Sequence, residues 1–305
     1  MKKYTYEKLR YSLHLARKNY DCYLFLLPFA LLFITFVVLP VGISIFISFT
    51  DFNLLETPQF IGLANFRKLL VQDKIFTTAF RNTMIIAVIV GPTGYFASLL
   101  IAWQINELNN VLRAIMVTIM YAPSISGGAY VIWQYIFSND SYGYINSLLM
   151  GLGFTHKPIQ FLSDTSYMLG IEIIIMIWMS LGAGFLSFVA GLKTVDKSFY
   201  EAGYIEGINS RWQELWFITL PTLRPQLMFG AVMSITGAFS AGAVGTQLFG
   251  FPSTDYAAHT IINHLEDYGN IRFEMGYACA IATVLFILML VCNGVIQKLL
   301  SKVGS

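Results

Sequence analysis

Charged residues are scarce in this 305-residue chain: Asp, Glu, Lys and Arg together fill 12% of positions, about half of what a soluble domain carries. That shortage excludes a water-soluble globule of ordinary composition. Cysteine is scarcer. Cys22, Cys279 and Cys292 all fall inside apolar stretches, where cysteine behaves as a small hydrophobe, and three are too few for a disulfide framework. Histidine occurs four times, and the closest pair, His259 and His264, is five residues apart. That spacing puts the two on different faces of a helix, so no metal site is expected. No Lys follows a Gly anywhere, which excludes the Gly-x4-Gly-Lys-Ser/Thr phosphate loop. An enzyme embedded in a membrane would need clustered His, Asp or Glu at one face. The pair Glu266-Asp267 has no ligand-forming neighbour.

What is abundant is apolar. Hydrophobic residues make up 56% of the chain, and the mean hydropathy is +0.63. Such a surplus suits lipid as the solvent, and a transmembrane helix needs about 20 predominantly apolar residues. Six stretches qualify: 22–49, 79–105, 112–137, 166–192, 222–248 and 275–298. Pro28, Pro40, Pro92 and Pro123 lie within them, which helices in membranes tolerate. The run from Cys22 to Phe49 is too long for a secretory signal and reads as a retained first span. The expectation is an all-α membrane protein of about six spans, one domain over 1–305, with a core bundle at about 79–298.

Charge sets the orientation. Lys2, Lys3, Lys8, Arg10, Arg17 and Lys18 precede the first span. With both termini inside, thirteen of the 19 Lys and Arg residues face the cytoplasm, as the positive-inside rule requires. The outer segments are then 50–78, 138–165 and 249–274, rich in turn formers. Small residues recur every fourth position as Ala183, Ser187, Gly191 and as Gly237, Ala241, Gly245, a spacing that lets helix backbones approach closely. Packing inside the bundle and a seam with a second membrane subunit both fit it.

The longest charged cytoplasmic loop, about 193–221, holds most of the information. Ser198 followed by Glu201 forms a capping box, and Gly207 is a natural stop, so a two-turn helix is expected over 199–206. A second helical stretch follows from about Ser210, and Pro221 and Pro225 bracket the entry to span five.

Within this loop the chain resembles the permease subunits of binding-protein-dependent ABC importers. Their cytoplasmic signature is Glu-Ala-Ala, three residues, Gly, nine residues, Ile, one residue, Leu-Pro. Glu201, Ala202, Gly207, Ile218, Leu220 and Pro221 match it. Gly203 replaces the second Ala, and ten residues rather than nine separate Gly207 from Ile218. Other segments look like sugar permeases of the maltose type: Phe60–Phe66, Tyr121-Ala-Pro-Ser124 with Trp133 and Phe137, Tyr142–Asn146 and Met275-Gly-Tyr-Ala278. The glycine-proline segment many of these carry after span five is replaced by Gly250-Phe-Pro-Ser-Thr254.

The resemblance implies a type I ABC importer transmembrane fold in the bacterial inner membrane. It implies four kinds of partner: a second permease subunit, a cytoplasmic ATPase dimer that carries the ATP and magnesium, an extracytoplasmic solute-binding protein, and a carbohydrate of the oligosaccharide class. No cofactor on this chain and no nucleic acid are implied. The helix ending at Gly207 would dock on the ATPase and transmit its closure. Candidate residues of the solute path are Glu172, the one acidic residue well inside a span, and Tyr130, Trp133, Gln134, Phe239 and Gln247. Glu172 also fits a structural hydrogen bond to a neighbouring helix, and the aromatics fit an interface belt. The rival reading is a self-sufficient secondary transporter or channel for a small polar solute, which would need coupling carboxylates at mid-membrane.

Overall fold

The computed structural model describes residues 19–126 and 128–300. Among these the protein is helical, with no strands beyond a single bridge between Thr50 and Phe60. The six basic residues before the first span and Lys302 lie outside the described residues.

The first helix, α1 (Tyr20–Ile47), is the most exposed of the long helices and touches the last one, Met275–Leu300, through Leu39–Ile47. A strap follows and leads to the short α2 (Ala64–Arg67), then to α3 (Lys74–Asn106). A tight turn joins α3 to α4 (Asn110–Ile125), followed by α5 (Ala129–Ile136) and α6 (Tyr144–Gly151). Next come α7 (Thr165–Met179), α8 (Ala183–Thr194), α9 (Lys197–Ile205) and α10 (Arg211–Glu214). The chain ends with α11 (Arg224–Phe239), α12 (Ala243–Phe249), α13 (Ile261–Glu266) and α14 (Met275–Leu300). Polar N-caps start the helices where the chain enters or turns. Asp73, Asn109, Asp164 and Asp196 each accept a backbone N–H two or three residues on, supplying partners that a helix start otherwise lacks.

Helices α3, α8, α11 and α14 form the centre of the bundle. Phe185, Phe188, Leu192, Leu223 and Leu227 fill its α8–α11 side. The backbones approach most closely at Gly184, where a methyl group would lie 3.3 Å from the Gly230 Cα, and at Gly230, where one would meet the Phe188 ring. The tight seam therefore runs through Gly184, Phe188 and Gly191, one position round from the predicted row at Ala183 and Ser187.

Three spans differ from the sequence expectation. Five continuous or gently broken helices are long and apolar enough to cross a membrane, and the pair α4–α5, bent by 83°, makes a sixth if counted as one span. The expected uniform helix over 112–137 is thus two helices. The expected spans 166–192 and 222–248 are also interrupted, at Ser180–Gly182 and Ser240–Gly242. Each interruption is a Ser-x-Gly, whose glycine frees the backbone and whose serine competes for helix carbonyls.

The outer segments are not plain loops. Asn65 donates to the Ser48 and Thr50 carbonyls, and Asn146 to those of Ser138 and Ile159. The segment after α12 folds back into the bundle: Ile261, Asn263 and His264 are buried. Its start is a Thr260–Asn263 capping box.

Candidate functional site

The two interruptions meet. Ser180 and Gly182 between α7 and α8, and Ser240 between α11 and α12, line one cavity of about 290 Å³ together with Ser234 and Gly237. Ser124, beside the α4–α5 bend, lies against Gly182. Unwound backbone at membrane depth is tolerated only where protein buries it or where it lines a watery cavity. Here both occur. Ser180 Oγ donates to the Ile177 carbonyl and Ser240 Oγ to that of Thr236. Asn263, from the re-entrant α13, donates to the Gly242 carbonyl at 3.1 Å and to Thr246 Oγ1 at 2.7 Å. The remainder of the wall is Gly184, alanines, Val90 and Val244, and the methionines Met176, Met179 and Met233, whose side chains adapt to irregular shapes. Among the described residues no charged one lines it. Such a chamber suits a neutral, hydrogen-bonding solute.

None of the candidate path residues named from the sequence lines this chamber. Tyr130 and Trp133 pack with Phe137, Ile171 and Leu248 where α5, α7 and α12 converge. Trp133 stacks on Phe137 at 5.8 Å and meets Trp178 edge-on at 5.4 Å. Gln134 donates to the Gln247 carbonyl, tying α5 to α12. Glu172 is fully buried on α7, its carboxyl set against the Gly245 backbone. It presses on α12, since a methyl at Gly245 would lie 2.8 Å from Glu172 Oε1. Phe239 faces an apolar groove of about 360 Å³ between α3, α11 and α14. The chamber residues escaped sequence reasoning because serine, glycine and methionine are ordinary in membrane helices. The repeated Ser-x-Gly was the available signal.

A polar cluster closes the outer end. Asp73, capping α3, accepts from Tyr277 at 2.7 Å and lies 3.0 Å from His264 Nε2, and His264 Nδ1 is 3.3 Å from His259 Nε2. Burial pushes the Asp73 carboxyl up, but hydrogen bonds from His264, the Phe76 N–H and Tyr277 outweigh it and hold it well below the usual carboxylate range. Burial, then the charge of His264, lowers His259 to about 4. Asn82 donates to the carbonyls of Ala257 and His259, and Thr83 accepts from the Ile261 N–H. Lys68 pairs with Glu274 at 2.8 Å. These bonds join the segment after α2 to α3, α13 and α14. Among the described residues no group of three metal-ligating side chains forms.

At the opposite end stands the loop that sequence reading singled out. Its helix spans Lys197–Ile205, and the cap is Asp196 rather than Ser198: Asp196 accepts from the Ser198 N–H at 3.0 Å. The capping box is one helix later, at Ser210 and Gln213. Gly207, at φ +93°, ends α9. The Ile208 N–H bonds the Gly203 carbonyl and the Gly207 N–H that of Tyr204, the paired closure that a glycine in the left-handed region permits. Gly203 is buried, and a methyl there would sit 2.6 Å from Ile218 Cδ1. Glycine in place of the expected alanine lets Ile218 seat against α9. The extra residue before Ile218 is absorbed by a widened turn at Leu215–Thr219, closed by a bond from the Leu220 N–H to the Leu215 carbonyl. A turn of this kind holds one residue more than an α-turn. Leu220 and Pro221 then lead into α11. Glu201, Ala202, Tyr204 and Ile205 are exposed, Ile205 at 86%.

A bundle of crossing helices, with broken spans around an uncharged chamber and a separate capped helix at one end, defines a polytopic membrane transport protein. Residues 94–303 match the family described as binding-protein-dependent transport system inner membrane component. The chain is 33% identical, over 98% of its length and 95% of the other, to a probable ABC transporter permease, YesP of Bacillus subtilis (strain 168). It is 31% identical, over 91% of its length and 87% of the other, to the arabinooligosaccharides transport system permease AraP of the same organism. Among solved structures it resembles a chain of a bacterial alginate ABC transporter in complex with an alginate pentasaccharide-bound periplasmic protein. There the TM-score is 0.75 at 24% identity, covering 94% of this chain and 96% of that one, a likeness of fold. The protein belongs to the binding-protein-dependent inner membrane transport components, as an ABC transporter permease with the type I importer fold.

Proposed function

We propose that this chain is one of two permeases of an ATP-driven importer of a carbohydrate, most simply an oligosaccharide, in a bacterial inner membrane. The solute arrives from an external solute-binding protein. It passes the uncharged chamber at the helix breaks, whose hydroxyls and methionines suit a neutral polyol. The name of a relative that carries arabinooligosaccharides supports an oligosaccharide. ATP and magnesium are held by a separate ATPase pair, which grips α9 and moves the bundle through Gly203, Ile218 and α11.

One observation carries this reading. Helix α9 leaves its apolar residues Tyr204 and Ile205 in the open, at 71% and 86% exposure, while its inner face is locked on Ile218. A helix so built has a face for a partner. Ile205→Asp places a charge on that face without touching the bundle. The expected outcome is at least a tenfold loss of ATPase capture and of solute uptake, with unchanged thermal unfolding of the permease. Capture and uptake equal to the parent would sink the assignment of α9 as the coupling element.

A further inference from the structure

Beside α9 a second cavity, of about 400 Å³, opens between the α3–α4 turn, the end of α8, the first turn of α9 and α10. Its charge is unbalanced. Arg113, Lys193, Lys197 and Arg211 line it against Glu107 and Glu214. Arg211 takes both carboxylates, at 2.7 Å and 3.0 Å. Lys193 and Lys197 have no ion-pair partner among the described residues. Arg113 donates from Nη to the carbonyls of Asn106 and Leu108, but its Nε–H is buried with no acceptor. Four cations against two carboxylates, with two of the cations free of ion pairs, leave the cavity with a surplus of positive charge. Trp103 lines the cavity and packs on Trp212 at 5.3 Å, and paired tryptophans mark the level of a membrane–water interface.

We propose that this cavity binds a phosphate-bearing anion, held by the ammonium groups of Lys193 and Lys197. Two sources offer that chemistry at this level: the headgroup of an anionic phospholipid, which basic pockets between membrane helices recognise, and a free phosphate in the cytoplasm. The proposal rests on the reading above only in placing α9 on the cytoplasmic side. Lys193 stands in the last turn of α8 and Lys197 in the first of α9. A bound anion therefore clamps the coupling helix to the bundle.

The test uses the assembled transporter in nanodiscs of phosphatidylcholine, in two arms. In one, inorganic phosphate is added; in the other, phosphatidylglycerol replaces part of the lipid. Thermal unfolding of this chain is read in both. Binding raises the Tm by on the order of 3 °C or more at saturation, and Lys193→Gln with Lys197→Gln removes the rise. A rise in the phosphatidylglycerol arm alone identifies a lipid headgroup, and a rise with inorganic phosphate identifies a soluble anion. No rise in either arm, or a rise that survives the double substitution, overturns the proposal. ATPase capture by Ile205→Asp is scored separately. A failure of the coupling reading leaves the phosphate response in place, and a failure here leaves capture in place.

Discussion

Gly276 opens α14 directly beneath the strap that leaves α1, and a methyl group there would sit 2.1 Å from the Thr50 carbonyl oxygen and 3.1 Å from the Phe52 nitrogen. Both obstacles are backbone. The strap cannot retreat cheaply, because Asn65 holds it through the Ser48 and Thr50 carbonyls and the Gly276 N–H itself bonds Phe52. Overpacking of a site that cannot give costs about 1–3 kcal/mol or more. Gly276→Ala should therefore lower the thermal midpoint by several degrees and loosen the outer cluster around Asp73, Lys68 and Tyr277. A midpoint unchanged within a degree, by thermal shift in detergent, would show that the strap is not held as described. Gly230 shows the contrasting case, where the neighbour is a phenylalanine ring rather than backbone. Residue pairs of this kind were invisible in the sequence. Thr50 and Gly276 are 226 positions apart, and periodicity carries no information about which distant backbone a glycine must admit.

Elements were more legible than residues, for a physical reason. Apolar length sets span number in lipid, so the positions of the spans followed from composition. What periodicity missed was where a span stops being a helix. Ser180–Gly182 and Ser240–Gly242 are only three residues each, inside stretches whose mean hydropathy of 2.2 and 1.7 still suits a span, and contact with α13 and the shared chamber accommodates the unwinding. The cap of α9 was misplaced by two residues because Ser198 and Glu201 fit a capping pattern that Asp196 satisfies more directly. The widened turn at Leu215–Thr219 is the element that reconciles a ten-residue gap with the nine expected from the family signature. If it stores one surplus residue, removing one should convert it to an α-turn and leave Ile218 seated on Gly203. Deleting the exposed Trp216 should then retain uptake within about twofold, whereas deleting Ala202 in α9 should abolish it by rotating the helix face. Loss of uptake with a well-folded Trp216 deletion would refute this account of the turn.

For the molecule as a whole, orientation is the property on which function depends most. The chamber, the outer cluster and α9 have their assigned roles only if α9 faces the cytoplasm. Among the described residues the basic side chains are evenly divided, with Arg113, Lys193, Lys197, Arg211, Arg224 and Lys298 at the α9 end and Arg67, Lys68, Lys74, Arg81, Lys157 and Arg272 at the other. The two-to-one asymmetry comes from residues 2–18 and Lys302. Two of the outer cations are neutralised by partners, Lys68 by Glu274 and Arg272 by Asp267. The bias that orients a chain is counted close to the span ends, and the block before α1 stands at the first of them. Cysteine labelling tests this directly, because the three native cysteines lie in apolar stretches and can be replaced. In that background, Tyr142→Cys on the outer segment, where the side chain is 93% exposed, should react in intact cells with a membrane-impermeant maleimide. Asn209→Cys, just beyond Gly207, should react only after permeabilisation. The reverse pattern would invert the molecule, put α9 out of reach of any cytoplasmic ATPase, and leave the chamber without the motor proposed for it.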